Sequence, residues 1–416
     1  MSTAEHCEAP GLMPLEKAVN AMLAAVDALS ETESISLHYA NKRVLAGDIV
    51  SAINVPPADN SAMDGYALRS EDLITTDKLE LLGTALAGSP FQGCVKAGQC
   101  VRIMTGGVIP QGADCVVMQE NTDTQGSTVR FMQQPEAGNS VRKAGEDIAV
   151  GQLIINKGTS LTPAHLALIA SIGQASVEVV RQLTVGLIST GDELTLPGHT
   201  LNAGAIYESN SYALAAMLEN LKLKVLNYGI VKDDLASLRE VFKRADQQCD
   251  LVISCGGVSV GEADFVKEIL AEAGQINFWK VAIKPGKPFA FGRLSQAWFC
   301  GLPGNPVSSY VTFEQLVMPL LRKLSGQNIA LKQAPYFVAK AANVVRKRPG
   351  RADFQRGYFY RDDNGQLWVK AQGNQGSGVM SSLTNANCYL LLTQEQSDVN
   401  QGQELKLVPF SNIFTD

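Results

Sequence analysis

Between Leu183 and Gly326 the chain alternates apolar runs with amphipathic segments, and that alternation dictates the fold class of its middle third. Thr184–Ser189, Val225–Val231 and Cys249–Ser254 are apolar along most of their length rather than at every second position, as strands covered on both faces must be. Ser209–Asn220 and Asp234–Gln247 repeat apolar residues at helical spacing behind Ser/Asn and Asp starts. Ala263–Ala273 and Val307–Leu324 read as two more helices, separated by extended Ile276–Ile283 and a short strand at Ala297–Gly301. The result is an α/β module with a parallel sheet sandwiched by helices.

The flanks follow other rhythms. Pro14–Leu29 has helical spacing, and Thr162–Ile172 is a helix with Pro163 in its first turn. From Val44 to Lys157 short strands (Leu79–Leu82, Cys100–Met104, Cys115–Met118, Thr128–Met132) alternate with turn residues, a small β-rich module. After Gln327 come Tyr336–Val345, Leu367–Ala371, Cys388–Leu392 and Glu404–Val408, which fit a compact barrel or sandwich. At 416 residues the chain exceeds one ordinary core. The expected division is a discontinuous linking domain (1–50 with 144–181), an inserted β-rich domain (51–143), the α/β domain (182–327) and a C-terminal β-barrel (328–416).

Composition removes several classes of function. A net charge of -6 gives no general attraction for nucleic acid or anionic membrane. The amino terminus lacks a basic start and apolar run, and the longest apolar stretches fall far short of a membrane span. Eight scattered cysteines without a CxxC pair fit reduced thiols in the cytoplasm, and four histidines leave little for a histidine-rich metal site or a Ser-His-Asp triad.

In open sheets of this kind ligands bind beyond the carboxyl ends of the strands. Here those ends carry Thr190-Gly191-Asp192-Glu193, the pair Asp233-Asp234, and Gly256-Gly257-Val258-Ser259-Val260-Gly261-Glu262-Ala263-Asp264. The glycines allow backbone N–H groups to approach a ligand just ahead of a helix, although a tight turn is the plainer reading of Gly256-Gly257. Asp234 is equally a helix N-cap. Carboxylates gathered at one sheet edge repel unless a hard cation holds them, and oxygen ligands favour Mg²⁺ with phosphate and water. Lys280-Val281-Ala282-Ile283-Lys284-Pro285-Gly286-Lys287-Pro288 sets ammonium groups on a constrained turn suited to an oxyanion, unless it is a solvated edge. Pro303-Gly304-Asn305-Pro306-Val307-Ser308 turns into a helix with free N–H groups and a hydroxyl. Outside this module, Asp59–Ala67 is a dense polar run after Pro56-Pro57, and Arg351 and Ser377 offer a guanidinium and a hydroxyl at loop positions; each also reads as a surface turn.

The strings DNSAMDGYA (59–67), RIMTG (102–106), GEDI (145–148), STGDEL (189–194), SCGGVSVGEAD (254–264), AIKPGKPF (282–289), GLPGNPVS (301–308), DFQRG (353–357) and QGS (375–377) together resemble the MoeA family of molybdopterin molybdenumtransferases, which includes the carboxyl-terminal domain of gephyrin. They run in family order over nearly the whole chain. The departures are Gly106-Gly107 where Gly-Ala is common, and Cys255 where serine or glycine often sits. The resemblance implies an elongated homodimer of four-domain subunits, dimerising through the first domain. Its active cleft would lie between the third domain of one subunit and the second of the other. The implied reaction inserts molybdate into adenylated molybdopterin and releases AMP, with Mg²⁺ as cofactor.

Under that implication Asp59, Asp147, Glu193, Asp233, Asp264, Lys280 and Lys284 are candidate catalytic side chains. Lys284, Lys287, Ser308, Arg351 and Ser377 would bind molybdate. Thr190, Gly191, Gly256, Gly257, Ser259, Gly261, Pro303 and Pro306 would line the pterin and nucleotide, and Asp192, Glu193, Asp233 and Asp264 would hold Mg²⁺. Contacts with other cofactor-assembly proteins are left open; no nucleic acid or membrane is expected as a partner. Two other functions use the same features: adenylation of molybdopterin with ATP, and a non-enzymatic dimeric scaffold that binds a partner peptide.

Overall fold

The computed structural model describes residues 11–256, 268–269, 272, 274–328 and 336–410. Two compact units divide the chain: Met1–Glu33, Lys42–Val44 and Val180–Asp416 form the larger, and Ser34–Asn41 with Leu45–Val179 the smaller. The first helix, α1 (Leu15–Ala25), belongs to the larger unit and buries Ala18 and Met22.

The smaller unit contains a six-stranded sheet of β1 (Gly65–Leu68), β2 (Lys78–Ala85), β3 (Gln99–Ile103), β4 (Cys115–Met118), β5 (Thr122–Gln125) and β6 (Thr128–Phe131), in the order β4-β1-β3-β2-β6-β5. Only β2 and β3 run parallel. Its core lies on both faces: Tyr66, Leu68, Val117 and Phe131 on one, Ala67, Val101, Ile103 and Val116 on the other. Strand β1 was not expected, because GYAL is too short and too rich in small residues to announce itself. Gly65 is required there because a Cβ would stand 2.0 Å from the Val117 carbonyl oxygen of β4. A separate cluster built on Leu45, Ile49, Ile155, Leu161 and Ile169 packs helix α2 (Pro163–Ser171). Thr162 caps that helix by accepting from the His165 N–H.

In the larger unit a six-stranded sheet has the order β8-β7-β9-β13-β12-β10, built from β7 (Thr184–Thr190), β8 (Lys224–Val231), β9 (Leu251–Cys255), β10 (Gln275–Lys280), β12 (Pro288–Arg293) and β13 (Trp298–Leu302). A two-residue strand, β11 (Ile283–Lys284), lies between β10 and β12 in sequence and joins a different sheet. Strands β8, β7, β9 and β13 are parallel, as their unbroken apolar character requires. At the far edge β12 and β10 turn antiparallel, so the stretch expected only to be extended is one arm of a hairpin-like pair. Helices α3 (Asn210–Asn220) and α4 (Leu235–Gln248) cover the sheet, the latter through Leu238, Phe242 and Ala245. Most of the helix expected at Ala263–Ala273 lies outside the described residues.

The segment expected as one helix from Val307 to Leu324 is α5 (Pro306–Thr312), a π-helical turn (Phe313–Val317) and α6 (Met318–Leu324). Pro319 explains the break: it lacks an N–H for the Gln315 carbonyl, and its ring crowds that turn. The π turn holds Glu314, whose Oε2 is buried without a hydrogen-bond partner among the described residues, near the Tyr389 hydroxyl. Burial raises its carboxyl from the ordinary glutamate value of 4.5 to about 7.

The remaining chain closes a β-barrel. Strands β14 (Phe337–Ala341), β15 (Ala352–Arg361), β16 (Leu367–Ala371), β17 (Cys388–Leu392) and β18 (Glu404–Pro409) pair in the order β15-β16-β14-β18-β17, and β17 returns to β15. Closure leaves no exposed edge among them, and Leu390, Leu392, Val369, Leu405 and Leu407 fill the interior. β11 adds in parallel to the start of β15, with Lys284 opposite Asp353. Long β15 was missed, because its Gln355-Arg356-Gly357 centre breaks any apolar run. Among the described residues no helix is long and apolar enough to cross a membrane, and the seven cysteines are free.

Replacing Gly65 with alanine should lower the unfolding free energy by about 1–3 kcal/mol, read from denaturant midpoints, because two backbones must part. Glu314 makes stability depend on pH. Its folded carboxyl binds a proton more tightly than the unfolded one, so its contribution is full below about pH 4.5 and is lost as pH rises through about 7. Glu314→Gln should remove roughly 3 kcal/mol of that fall, and a variant with the same slope of stability against pH as the parent would refute the assignment.

Candidate active site

The carboxyl ends of β7, β9 and β13 meet through glycine and backbone. Thr190 closes β7 and is buried. Gly191 follows at a φ of +144°, and a Cβ on it would come within 2.5 Å of Glu193 Oε2, so the Glu193 side chain folds back over the turn. Gly256 follows β9 at a φ of +98°; its N–H donates to the Leu302 carbonyl of β13 at 3.1 Å. A Cβ on Gly256 would lie 2.7 Å from the Thr190 carbonyl, and one on Gly304 would lie 4.0 Å from the Gly256 Cα. Thr190, Gly191, Gly256 and the Pro303–Gly304 turn are therefore brought together, and Asn210 steadies the turn by donating to the Gly304 carbonyl at 2.8 Å.

The acidic residues separate by role. Asp234 is the N-cap of α4: its carboxylate accepts the Ser237 N–H at 2.9 Å, and that bond holds it below the usual carboxylate range. The neighbouring Asp233 donates its backbone N–H to Asp192 Oδ1 at 3.3 Å, which places these two at the same turn. Asp192 and Glu193 are exposed. Among the described residues no three His, Cys, Asp or Glu side chains form a group that could hold a metal ion. Gly257, Ser259, Gly261 and Asp264 lie outside the described residues. Sequence reasoning missed Glu208, a buried carboxylate that accepts from Ser189 Oγ, the Ser211 N–H and Ser211 Oγ at 3.3, 2.8 and 2.6 Å. It braces the end of β7 against the start of α3.

A second group gathers where the sheet module meets the barrel. Lys284 Nζ donates to Asp353 Oδ2 at 3.0 Å; Asp353 is only 3% exposed and also accepts from Gln355 Nε2 at 3.1 Å. Ala352 N–H donates to the Ala282 carbonyl, so Arg351 stands immediately beside this pairing. Gly286, at a φ of +112°, packs against α5: a Cβ would lie 2.2 Å from Thr312 Oγ1 and 3.4 Å from the Ser308 carbonyl. Ser377 joins from the barrel side, its carbonyl accepting the Val307 N–H at 3.0 Å. Lys284, Ser308, Arg351 and Ser377 thus share one locality, and the Ser308 and Ser377 hydroxyls and the Arg351 guanidinium make no hydrogen bond within the described residues. Pro306 opens α5 there. Lys280 and Lys287 are exposed and without an ion pair among the described residues. A further cation escaped the sequence reading: Lys347 is 4% exposed, donates to the carbonyls of Arg348 and Gln396, and has its pKa lowered by burial.

Asp59 and Asp147 lie in the smaller unit. Asp59 accepts from Lys143 Nζ and the Ala144 N–H, both at 2.8 Å, and the Lys143 bond in particular holds its carboxyl low. Asp147 is exposed, its N–H bonded to the Val55 carbonyl at 3.1 Å. Asp64 accepts from the N–H and hydroxyl of Thr105, and Arg102 lies over the Tyr66 ring at 5.0 Å, so the DNSAMDGYA and RIMTG strings form one surface.

A mostly parallel sheet with glycine turns and carboxylates at its strand ends, joined to a closed barrel, defines a multidomain α/β protein. The chain matches the models for the MoeA N-terminal region (domain I and II) over residues 13–173, a probable molybdopterin binding domain over 186–323 and the MoeA C-terminal region (domain IV) over 338–410. It is 46% identical to the molybdopterin molybdenumtransferase of Haemophilus influenzae, over 97% of this chain and 100% of that protein. The gephyrin of Dictyostelium discoideum is 30% identical over 95% of this chain and 62% of its own length. The crystal structure of the molybdopterin biosynthesis MoeA protein from Pyrococcus horikoshii superposes with a TM-score of 0.84 at 28% identity, covering 96% of this chain and all of that one. The chain belongs to the MoeA family.

Lys284→Met leaves the Asp353 carboxylate buried without its ammonium and should cost roughly 1–2 kcal/mol in urea unfolding, discounted for the half-exposed lysine. Adding Asp353→Asn should recover most of that loss. A double variant no more stable than the single one would show that the two residues are not energetically coupled.

Proposed function

We propose that this chain inserts molybdate into adenylated molybdopterin and releases AMP. The observation that carries the reading is the convergence of Lys284, Arg351, Ser308 and Ser377 at the junction of sheet and barrel. These groups suit a tetrahedral dianion, while the Thr190–Gly191 and Gly256 turns leave backbone free for a phosphate-bearing ligand. The Haemophilus influenzae relative, matched over 100% of its length, is named a molybdopterin molybdenumtransferase, which supports transfer of molybdenum to molybdopterin.

In this reading the strand-end turns hold the pterin and nucleotide, with Pro303 and Pro306 fixing the edge of the pocket. Lys284 moves between Asp353 and the oxyanion, and Lys280 and Lys287 add positive charge nearby. Molybdate held by Lys284, Ser308, Arg351 and Ser377 stands beside the dithiolene as the pyrophosphate bond breaks and AMP leaves. Positioning and charge neutralisation carry the step, and no side-chain nucleophile is needed. Asp192, Glu193, Asp233 and Asp264 would hold Mg²⁺ together with water and phosphate, all oxygen donors that suit this ion. Bound there, the ion would neutralise pyrophosphate charge. Asp59 and Asp147 are further candidates for positioning, and the working form is a cytoplasmic homodimer of four-domain subunits divided as the sequence implies.

The test is AMP release from purified adenylated molybdopterin, with and without molybdate, in Mg²⁺ buffer. Molybdate-dependent release should be seen, and Lys284→Ala in a folded dimer should lower it by about 100-fold or more. ATP-dependent adenylation of free molybdopterin, with no such release, would move the chain to the adenylation reaction. Absence of both would leave a binding scaffold.

A further inference from the structure

The turn that carries Ser377 is held from three sides, and one of its holders is a buried cation. The Gln375 side chain is tied twice to the backbone of Arg356: its Oε1 accepts the Arg356 N–H, and its Nε2 donates to the Arg356 carbonyl, both at 2.9 Å. The Ser377 carbonyl is fixed by the Val307 N–H. Between them, Arg356 Nη2 donates to the Gly376 carbonyl at 3.2 Å, and Arg356 Nε donates to Ser382 Oγ at 2.9 Å. The Ser382 hydroxyl in turn donates a hydrogen bond to the Val379 carbonyl at 2.6 Å. One guanidinium therefore grips both ends of the segment 376–382.

Arg356 is 1% exposed. No Asp or Glu oxygen among the described residues stands at ion-pair distance from it, and the Asp353 carboxylate three residues away is already bonded to Lys284 and Gln355. The hydroxyl of Tyr389, its cross-strand neighbour, is neutral, with its pKa raised by burial. Burying a guanidinium without a carboxylate costs free energy that a neutral hydrogen-bonding side chain would spare. The charge is placed against the turn of Ser377, whose hydroxyl the proposed function gives to a dianion.

We propose that Arg356 is the positioning residue of the oxyanion site, fixing the Ser377 hydroxyl through the Gly376 carbonyl and setting against its turn a positive charge that the dianion neutralises. This deepens the molybdate reading and rests on it. A bound dianion would then be held by groups that reach it directly and by a guanidinium that never touches it.

The test uses the full-length protein with Arg356→Met, Arg356→Lys and Ser382→Ala, and Ser377→Ala as a reference. Sodium molybdate binding is measured by calorimetry, hydrogen–deuterium exchange is followed in peptides covering 373–382, and KM for molybdate is compared with kcat. Arg356→Met should speed exchange in that segment and weaken molybdate binding by roughly tenfold or more. Its KM for molybdate should rise by a larger factor than kcat falls. Arg356→Lys should regain part of the affinity, and Ser382→Ala, which keeps the charge but loosens one end, should show a smaller loss. If the methionine variant fails to fold, the lysine and Ser382 variants decide: parental exchange and affinity in both would overturn the proposal. A parent protein that binds molybdate, with a methionine variant that binds it equally well, overturns this proposal alone. A parent that binds no molybdate overturns the oxyanion reading and this proposal with it.

Discussion

The pairing of two residues of β11 with the first residues of β15 ties the larger unit together. A parallel contact this short has little strength of its own, and it is reinforced by the ion pair between Lys284 and Asp353 at the same register. Breaking that register by one residue would turn Lys284 to the opposite face, and Arg351 would no longer flank it. The packing of Gly286 on α5 and the Val307–Ser377 bond fix the same junction from its other side. Three independent contacts thus bring the chain at positions 284, 308, 351 and 377 into one locality.

That economy matters because the chain as a whole is acidic, with a net charge of -6. General electrostatic attraction cannot bring an anion in, so affinity must be local. Lys284, Lys347 and Arg351 concentrate positive charge around the single buried carboxylate of Asp353. At the strand ends of the same unit, Asp192 and Asp233 collect negative charge. The proposed ligand, with its phosphate groups and oxyanion partner, would use both clusters, the second with a cation between.

The α/β module was legible because its physics is periodic. Apolar strands such as Thr184–Ser189 and helices such as Asp234–Gln247 follow directly from burial on two faces and one face. The barrel strands Leu367–Ala371 and Cys388–Leu392 were found to the residue. What stayed hidden was set by tertiary context. Strand β15 carries Arg356 and Gln355 where a run of apolar residues would have revealed it, and the π turn follows from a proline that α-helical periodicity does not register. At the site, the motifs marked out Lys284 and Arg351, but not that Asp353 would be the buried counter-charge or that Lys143 would pair with Asp59. Pairings between distant strings need the fold. The N-cap reading of Asp234 needed the fold as well, which supplies the Ser237 N–H.

The division between sheet and barrel has a physical logic of its own. A parallel sheet offers good phosphate sites at its strand ends, because turns with glycine expose backbone N–H groups, but it has few rigid side-chain positions there. A closed barrel offers the reverse: stiff strands whose loops can carry a guanidinium or hydroxyl at a fixed place. Holding a small symmetric dianion requires several donors at once with little freedom left to lose on binding. By anchoring the Ser377 turn to Arg356, on the face of β15 turned away from the barrel interior, and to Val307 on the sheet side, the chain restrains that turn. Under the proposed reading, the conformational entropy of ordering it is spent in folding rather than in binding, which is the advantage of placing such a site where sheet and barrel meet.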